Sequence, residues 1–566
     1  MPRFLITSAL PYINGIKHLG NLVGSLLPAD VYARYLRQQQ QQVLYICGTD
    51  EHGTPAELAA TEHGLSTEDY CNKLHDLQRD IYQRFHISFD YFGRTSSKAN
   101  HEITQSIYRD LEQRGFIKQK AIEQVYSIED KRFLPDRYVE GTCPHCSDEK
   151  ARGDQCDGCG QLLEPYELID PHSAITGSKD LIIKQSNHYF LCLSKLQQDV
   201  GAWVDRHKHW SPLTQGIAKK WLQEGLQDRC ISRDLNWGIP LPTDNNEKKV
   251  FYVWFDAPNG YISMTKEWAE KHAPDSSAWK DWWTESDDVH YTQFMAKDNV
   301  PFHTIFWPAV LMGAESNYKL VDNIKAFNWL LYEGGKFSTS QKLGVFMDDA
   351  LELFPADYWR YYLLSNAPEN SDSSFTFQHF SKVINKDLAD NLGNFVSRVS
   401  ALVSKYFSGQ IPKEQLAAYT FPVEMKVQVK ELLKDINDNY QQCNFRHLIN
   451  CLKKLYALGN EYITKAEPWK ILKNDEKAGA DILSTCLILI RIMAVASAAV
   501  IPTTSEKLFA VLQLTQRPDA LTIQDESLFA TVDTSIKTDK ALKLFEKITD
   551  KQVEDLTQRF GAKKSS

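Results

Sequence analysis

Apolar positions change period twice within the first fifty residues. Phe4-Leu5-Ile6 is an unbroken run ended by Pro11, Asn14 and Gly15; Leu19, Leu22, Val23 and Leu26 then recur at helical spacing, and a second run covers residues 43 to 47. Strand, helix and strand of this length predict a right-handed crossover in a parallel sheet. Ligands are expected beyond the strand ends, where a helix begins and its free N–H groups attract anions. From about residue 385 the pattern becomes helical, with Leu448, Leu452, Leu455 and Tyr462 repeating before an apolar segment at 482 to 500, which predicts a helical bundle. The longest apolar stretch, residues 486 to 501, is interrupted by Arg491 and Ser497 and falls short of the roughly 20 residues that span a bilayer. It reads as a buried helix, and no membrane is expected as a partner. Residues 541 to 560 predict an amphipathic helix that packs back on the body.

Composition sets the scale. A chain of 566 residues with 43% hydrophobic content holds several domains and an ample core. The N-terminal apolar run is cut by Pro11 and has one early basic residue, which does not suit a secretory signal. Eleven cysteines, scattered outside one cluster, indicate reduced thiols and a cytoplasmic location. The net charge of -9 is unevenly distributed: residues 381 to 566 carry +4 and the preceding residues -13, so the C-terminal third is the part better suited to a polyanion.

Two short patterns carry chemistry. His18-Leu19-Gly20-Asn21 opens the first helix directly after the first strand. There Gly20 lets a base or phosphate approach the backbone, and His18 offers a ring donor to phosphate oxygen. Cys143-Pro144-His145-Cys146, nine intervening residues and Cys156-Asp157-Gly158-Cys159 supply four thiolates at the spacing of a closed tetrahedral zinc site, with Gly158 and Gly160 permitting tight turns. Having no open position, that zinc is structural, and His145 reads as a solvated loop residue.

Ala9-Leu10-Pro11-Tyr12, Cys47-Gly48-Thr49-Asp50-Glu51-His52-Gly53-Thr54-Pro55, Trp254-Phe255-Asp256-Ala257-Pro258 and Lys336-Phe337-Ser338-Thr339-Ser340 follow in that order. Together with the His18 motif, this set resembles the methionyl-tRNA synthetases of class I from residue 3 to about residue 560. Asn21 in place of a second histidine is similar to the variant common among their eukaryotic and archaeal members. The resemblance implies an α/β fold: a parallel-sheet Rossmann-like catalytic domain with a zinc-knuckle insertion, followed by an α-helical bundle that binds the anticodon. The implied divisions are 1–115 and 236–325 for the two catalytic halves and 116–235 for the insert, with its knuckle at 143–159, which shapes the approach of the tRNA acceptor end. Residues 326–385 form a signature-loop and stem-contact region, 386–535 the bundle and 536–566 a C-terminal helix.

The implied reaction joins methionine to ATP as methionyl-adenylate, with Mg2+ accompanying the nucleotide, and then transfers methionine to tRNA(Met). By the same resemblance His18, Gly20, Asn21, Lys297, Asp298, Lys336, Ser338 and Thr339 bind ATP. Leu10, Tyr12, Asp50, Arg233, Trp254, Ala257, Pro258, Tyr261, Phe302, His303 and Trp307 bind methionine, Asp50 through its ammonium. Asn394, Arg398 and Trp469 match anticodon contacts, types that stack on bases and bond their edges. A thioether hydrogen-bonds poorly, so methionine must be selected by shape and by sulfur against rings. Asn259 and Ala296 stand where the family more often has an apolar residue and a glycine.

Thr339 stands where the family has a lysine that stabilises the departing phosphates. Losing one such contact costs about 2.7 to 4 kcal/mol. Lys336 and Lys342 are the candidates to replace it, both counted with His18, Asn21 and Thr339 as catalytic. The alternatives are a catalytically weakened paralogue that binds RNA, or an enzyme that adenylates another small amino acid. With no domain expected after the C-terminal helix, a monomer is the simpler expectation.

Overall fold

The structure, a computed structural model, describes residues 2–156, 159, 161–243, 249–284, 286–335, 337, 343–532 and 543–561. Five strands form the central sheet: β1 (Arg3–Ser8), β2 (Gln42–Thr49), β3 (Tyr91–Arg94), β4 (Val289–Ala296) and β5 (Asn323–Phe327). All pairings are parallel and the order is β5-β4-β1-β2-β3. The apolar run of β1 is buried because helices cover both faces of such a sheet. Strand order reverses between β1 and β4, which makes the crevice beyond their C-terminal ends the natural ligand site. The helical segments that follow these two strands each contain a wider i→i+5 turn, at Leu22–Leu26 and Phe302–Phe306, as functional helices often do.

Between β3 and β4 the chain makes an excursion. Ile117–Ser127 and Leu181–Leu191 pair antiparallel along their full length, so the ribbon leaves and returns at one place, Ile117 opposite Leu191. The cysteine knuckle lies on the segment between them. The following helices, Leu193–Arg206 and Pro212–Glu224, belong physically to the body of the central sheet, since Leu196, Val200, Trp203 and Trp210 share one apolar cluster with Leu5, Leu44 and Tyr291. The 116–235 segment is therefore two parts, an antiparallel ribbon with its knuckle, which shares an apolar cluster with Leu58, and a pair of helices that complete the core.

The C-terminal region is helical, and it does not stand apart. A single apolar cluster runs from Leu27 and Tyr35 behind the sheet through Trp359 and Leu388 to Leu452 and Ile490. Polar groups cross the same seam: the Tyr35 hydroxyl donates to Asn437 Oδ1 at 2.8 Å, and its ring stacks on Tyr440. Fully buried Arg360 donates to Asp30 Oδ2 at 2.7 Å and to the carbonyls of Ala499, Val500 and Phe85. The helix Glu476–Ser497 is long and apolar enough to cross a membrane, and 83% of its most apolar window is buried in the bundle, as core packing requires. Arg491, which interrupts it, donates to the carbonyl of Leu528 at 2.7 Å.

The C-terminal helix differs from expectation. It begins only at Asp550 and ends at Phe560, where Thr549 and Gln552 form a capping box that fixes the start. Residues 543 to 549 precede it without helix, burying Phe545 and Ile548. The helix does return to the body, with the Phe560 ring 6.0 Å from Phe377.

Candidate active site and metal centre

His18 caps the helix that follows β1. Its backbone N–H donates to Asn21 Oδ1 at 3.2 Å, and the Asn21 N–H donates back to the His18 carbonyl at 3.0 Å, so Asn21 closes the first turn. The imidazole stacks on Phe337 at 4.5 Å, while its Nδ1 is buried and has no hydrogen-bond partner. Burial, reinforced by the Lys17 ammonium, holds the ring neutral with a pKa of about 3. Gly20 lies against that ring: a Cβ there would come within 3.0 Å of it. Gly344, at φ +113°, leaves room for Phe337, whose ring would collide with any Cβ at that position. Lys336, Ser338, Thr339 and Lys342 lie outside the described residues.

Lys17, next to His18, is buried and donates to Asn14 Oδ1 at 2.7 Å. Burial lowers its pKa to about 7, against the pull of Asp50. Beyond the end of β4, Lys297 pairs with Asp372 at 2.7 Å and lies 4.2 Å over the Trp329 ring, whose indole N–H donates to Asp298 at 3.4 Å. These two residues thus tie the β4 end of the crevice to the 329–372 segment.

The residues expected around methionine converge from the ends of β1 and β2, from the helices Val253–Asp256 and Gly260–His272 that precede β4, and from the helical turns that follow it. Asp50 pairs with Tyr12 in an isolated parallel bridge at the end of β2. The Asp50 Oδ1 is buried without a partner; burial first, then the neighbouring Asp256 and Glu51, push its pKa well above the usual carboxylate range. The Tyr12 hydroxyl donates to the His52 carbonyl at 2.6 Å, and His52 Nδ1 bonds Asp256 Oδ2 at 2.7 Å.

Rings gather alongside. Trp254 stacks flat on Phe302, and Trp307 meets Tyr261 edge-on at 5.5 Å. His303 bonds the Asn299 carbonyl through Nδ1 at 2.9 Å and the Tyr261 hydroxyl through Nε2 at 3.1 Å, and burial keeps it neutral with a pKa of about 4. Ala257 and Pro258 form the buried turn between the helices Val253–Asp256 and Gly260–His272. Leu10 lies against that turn, 3.5 Å from the position of a Cβ on Gly260. Arg233 is set to one side: it stacks 4.0 Å over Tyr252, while its neighbour Asp234 pairs with buried Lys249 at 2.6 Å.

Sequence reasoning did not single out His52, Asp256 or the bonds of Asn259. The first two sit inside the quoted motifs, which was a usable signal. Asn259 accepts from the Trp307 indole, so its departure from an apolar residue has a structural use.

The four cysteine sulfurs lie within 4.8 Å of one another, with Cys143 to Cys159 at 3.9 Å and Cys146 to Cys156 at 3.6 Å. A tetrahedral Zn–S4 centre separates its sulfurs by about 3.8 Å, so the cluster suits a metal ion. Gly158 and Gly160 lie outside the described residues. In the bundle, Arg398 donates to Thr464 at 3.1 Å and lies 5.4 Å over Trp469, which follows a left-handed residue, Glu467, at a helix break. Asn394 is exposed one turn earlier on the helix that carries Arg398.

Residues 4–400 match the family of class I tRNA synthetases described as (M), and residues 420–565 match the anticodon binding domain of methionyl tRNA ligase. Two relatives named methionine–tRNA ligase, from Acaryochloris marina and Streptomyces avermitilis, are 52% and 51% identical over 99% of this chain and 100% and 99% of their own. The chain belongs to the methionyl-tRNA synthetases. It is an ATP-dependent ligase of that family, and nothing in these relatives favours the weakened paralogue. The Mycobacterium tuberculosis methionyl-tRNA synthetase, solved in complex with methionyl-adenylate, shares the fold at a TM-score of 0.75 and 23% identity, over 96% of this chain and 100% of its own.

Proposed function

We propose that the β1–β4 crevice activates methionine and that the observation carrying the assignment is a pair of unsatisfied buried atoms. Asp50 Oδ1 and His18 Nδ1 are both sheltered and both bare, and Lys17 acts electrostatically on each side chain. Leaving buried polar atoms unmet costs stability, which a ligand recovers when it meets them. Asp50 holds the methionine ammonium; Tyr12, Trp254, Tyr261, Phe302, His303 and Trp307 surround the thioether, with Leu10, Ala257 and Pro258 shaping the floor and Arg233 at the edge. His18, Gly20, Asn21, Lys297 and Asp298 receive ATP, accompanied by Mg2+.

A methionine carboxylate oxygen attacks the α-phosphorus and pyrophosphate leaves; the terminal ribose hydroxyl of tRNA(Met) then attacks the carbonyl carbon of the adenylate and AMP leaves. Both steps depend on positioning and on neutralising charge, so no covalent enzyme intermediate is needed. His18 donates to phosphate oxygen, and Lys336 and Lys342 offset Thr339 on the departing pyrophosphate, aided by Ser338. Asn394, Arg398 and Trp469, on one face of the bundle, contact the anticodon. Cys143, Cys146, Cys156 and Cys159 hold one structural zinc ion, and the enzyme works as a cytoplasmic monomer.

Methionine-dependent ATP–pyrophosphate exchange tests the activation step, and charging of tRNA(Met) tests the transfer. Exchange with another amino acid in place of methionine would reject the pocket assignment. Elemental analysis should find one zinc per chain, falling to none when Cys146 and Cys156 are replaced by serine.

A further inference from the structure

Asn259 has no assigned role, yet it is fully buried between the helix Lys98–Gln113 and the segments that carry Phe255 and Trp307. Its Nδ2 donates to the Phe255 carbonyl at 2.9 Å and to Thr104 Oγ1 at 3.3 Å, which leaves Oδ1 facing the Trp307 indole and accepting its N–H at 3.1 Å. Among the described residues this is the indole's one hydrogen-bond acceptor. Trp307 begins the helix Trp307–Gly313, directly after the wide turn that carries His303, and its ring touches both Tyr261 and His303 edge-on. An apolar side chain at 259 would fill the space and leave the indole N–H buried and unmet.

We infer that Asn259 is a positioning residue for methionine: it fixes the rotation of the Trp307 ring and thereby the shape of the pocket that must select a thioether by contact. A polar atom that recognises nothing in the substrate then sets specificity through a ring that does. The inference rests on the placement of methionine proposed above.

Steady-state exchange kinetics test it. Asn259→Leu should raise the methionine KM about tenfold, the consequence of one orphaned buried donor, while kcat and the ATP KM stay within about twofold. Asn259→Ser, which cannot overfill the site, should act in the same direction. Trp307→Phe also raises the methionine KM, and adding Asn259→Leu to it should change little, because no indole N–H remains to be orphaned. Should Trp307→Phe raise the methionine KM while both single changes at 259 leave it within twofold, or should the two positions act additively, the inference is overturned and the pocket stands. An unchanged methionine KM in Trp307→Phe would overturn the pocket assignment and the inference together.

Discussion

Asp30 and Asp50 are two buried carboxylates treated in opposite ways. Asp30, at the seam between sheet and bundle, is saturated: Arg34 and Arg360 donate to it at 3.0 and 2.7 Å, and Ser88 supplies an N–H and an O–H at 2.6 Å. Burial alone would raise its pKa, but the two guanidinium groups and Ser88 hold it down at about 2. Asp50, in the crevice, keeps one oxygen bare, and burial with two acidic neighbours drives its pKa up. Burial of a charge is costly in both places. The seam cancels that cost within the protein, whereas the crevice offsets it only in part, through Lys17, and on the proposed function leaves the remainder to the methionine ammonium.

This contrast can be broken most forcefully at the seam. Asp30→Ala should cost about 3–5 kcal/mol of unfolding free energy, read from the urea midpoint, because it strips a buried guanidinium of its carboxylate. His18→Ala should instead lower the exchange rate by about 10²–10³, or some 2.7–4 kcal/mol, with the midpoint nearly in place. If unfolding and activity responded together in both variants, seam and crevice would not be separate devices.

Asp50→Asn sharpens the comparison further. It removes the charge-assisted contact proposed for the ammonium, so the methionine KM should rise by roughly ten- to a hundredfold, from about 1.5–3 kcal/mol. Stability should hold or increase, since an unmet buried carboxylate is replaced by a neutral amide. The smallest signal is a proton. Free Asp50 has a raised pKa, and a bound ammonium lowers it; the free protein therefore holds more protons than the complex, so methionine binding releases protons and tightens as pH rises through the free-state value. Titration calorimetry in buffers of different ionisation enthalpy measures that release, and proton uptake would reverse the assignment.

Much of this was legible in residue order. The change from apolar run to helical spacing located β1, the His18 helix and β2, and the paired CxxC motifs located the metal cluster, because both signals are local and chemically specific. The buried Glu476–Ser497 helix followed from its length and from Arg491 within it. The start of the C-terminal helix was misplaced because Phe545 and Ile548 have helical spacing yet are buried outside any helix.

Residue order set most of the elements and all of the chemical groups the enzyme has to work with, since propensity, period and ligand spacing act between near neighbours. Long-range packing alone settled that the Leu193–Arg206 helix completes the core around the sheet, that Arg360 meets Asp30 and that Asn259 accepts from Trp307. Those pairings join positions separated by 330 and 48 residues in the last two cases, and which buried donor finds which acceptor depends on how the packed layers meet.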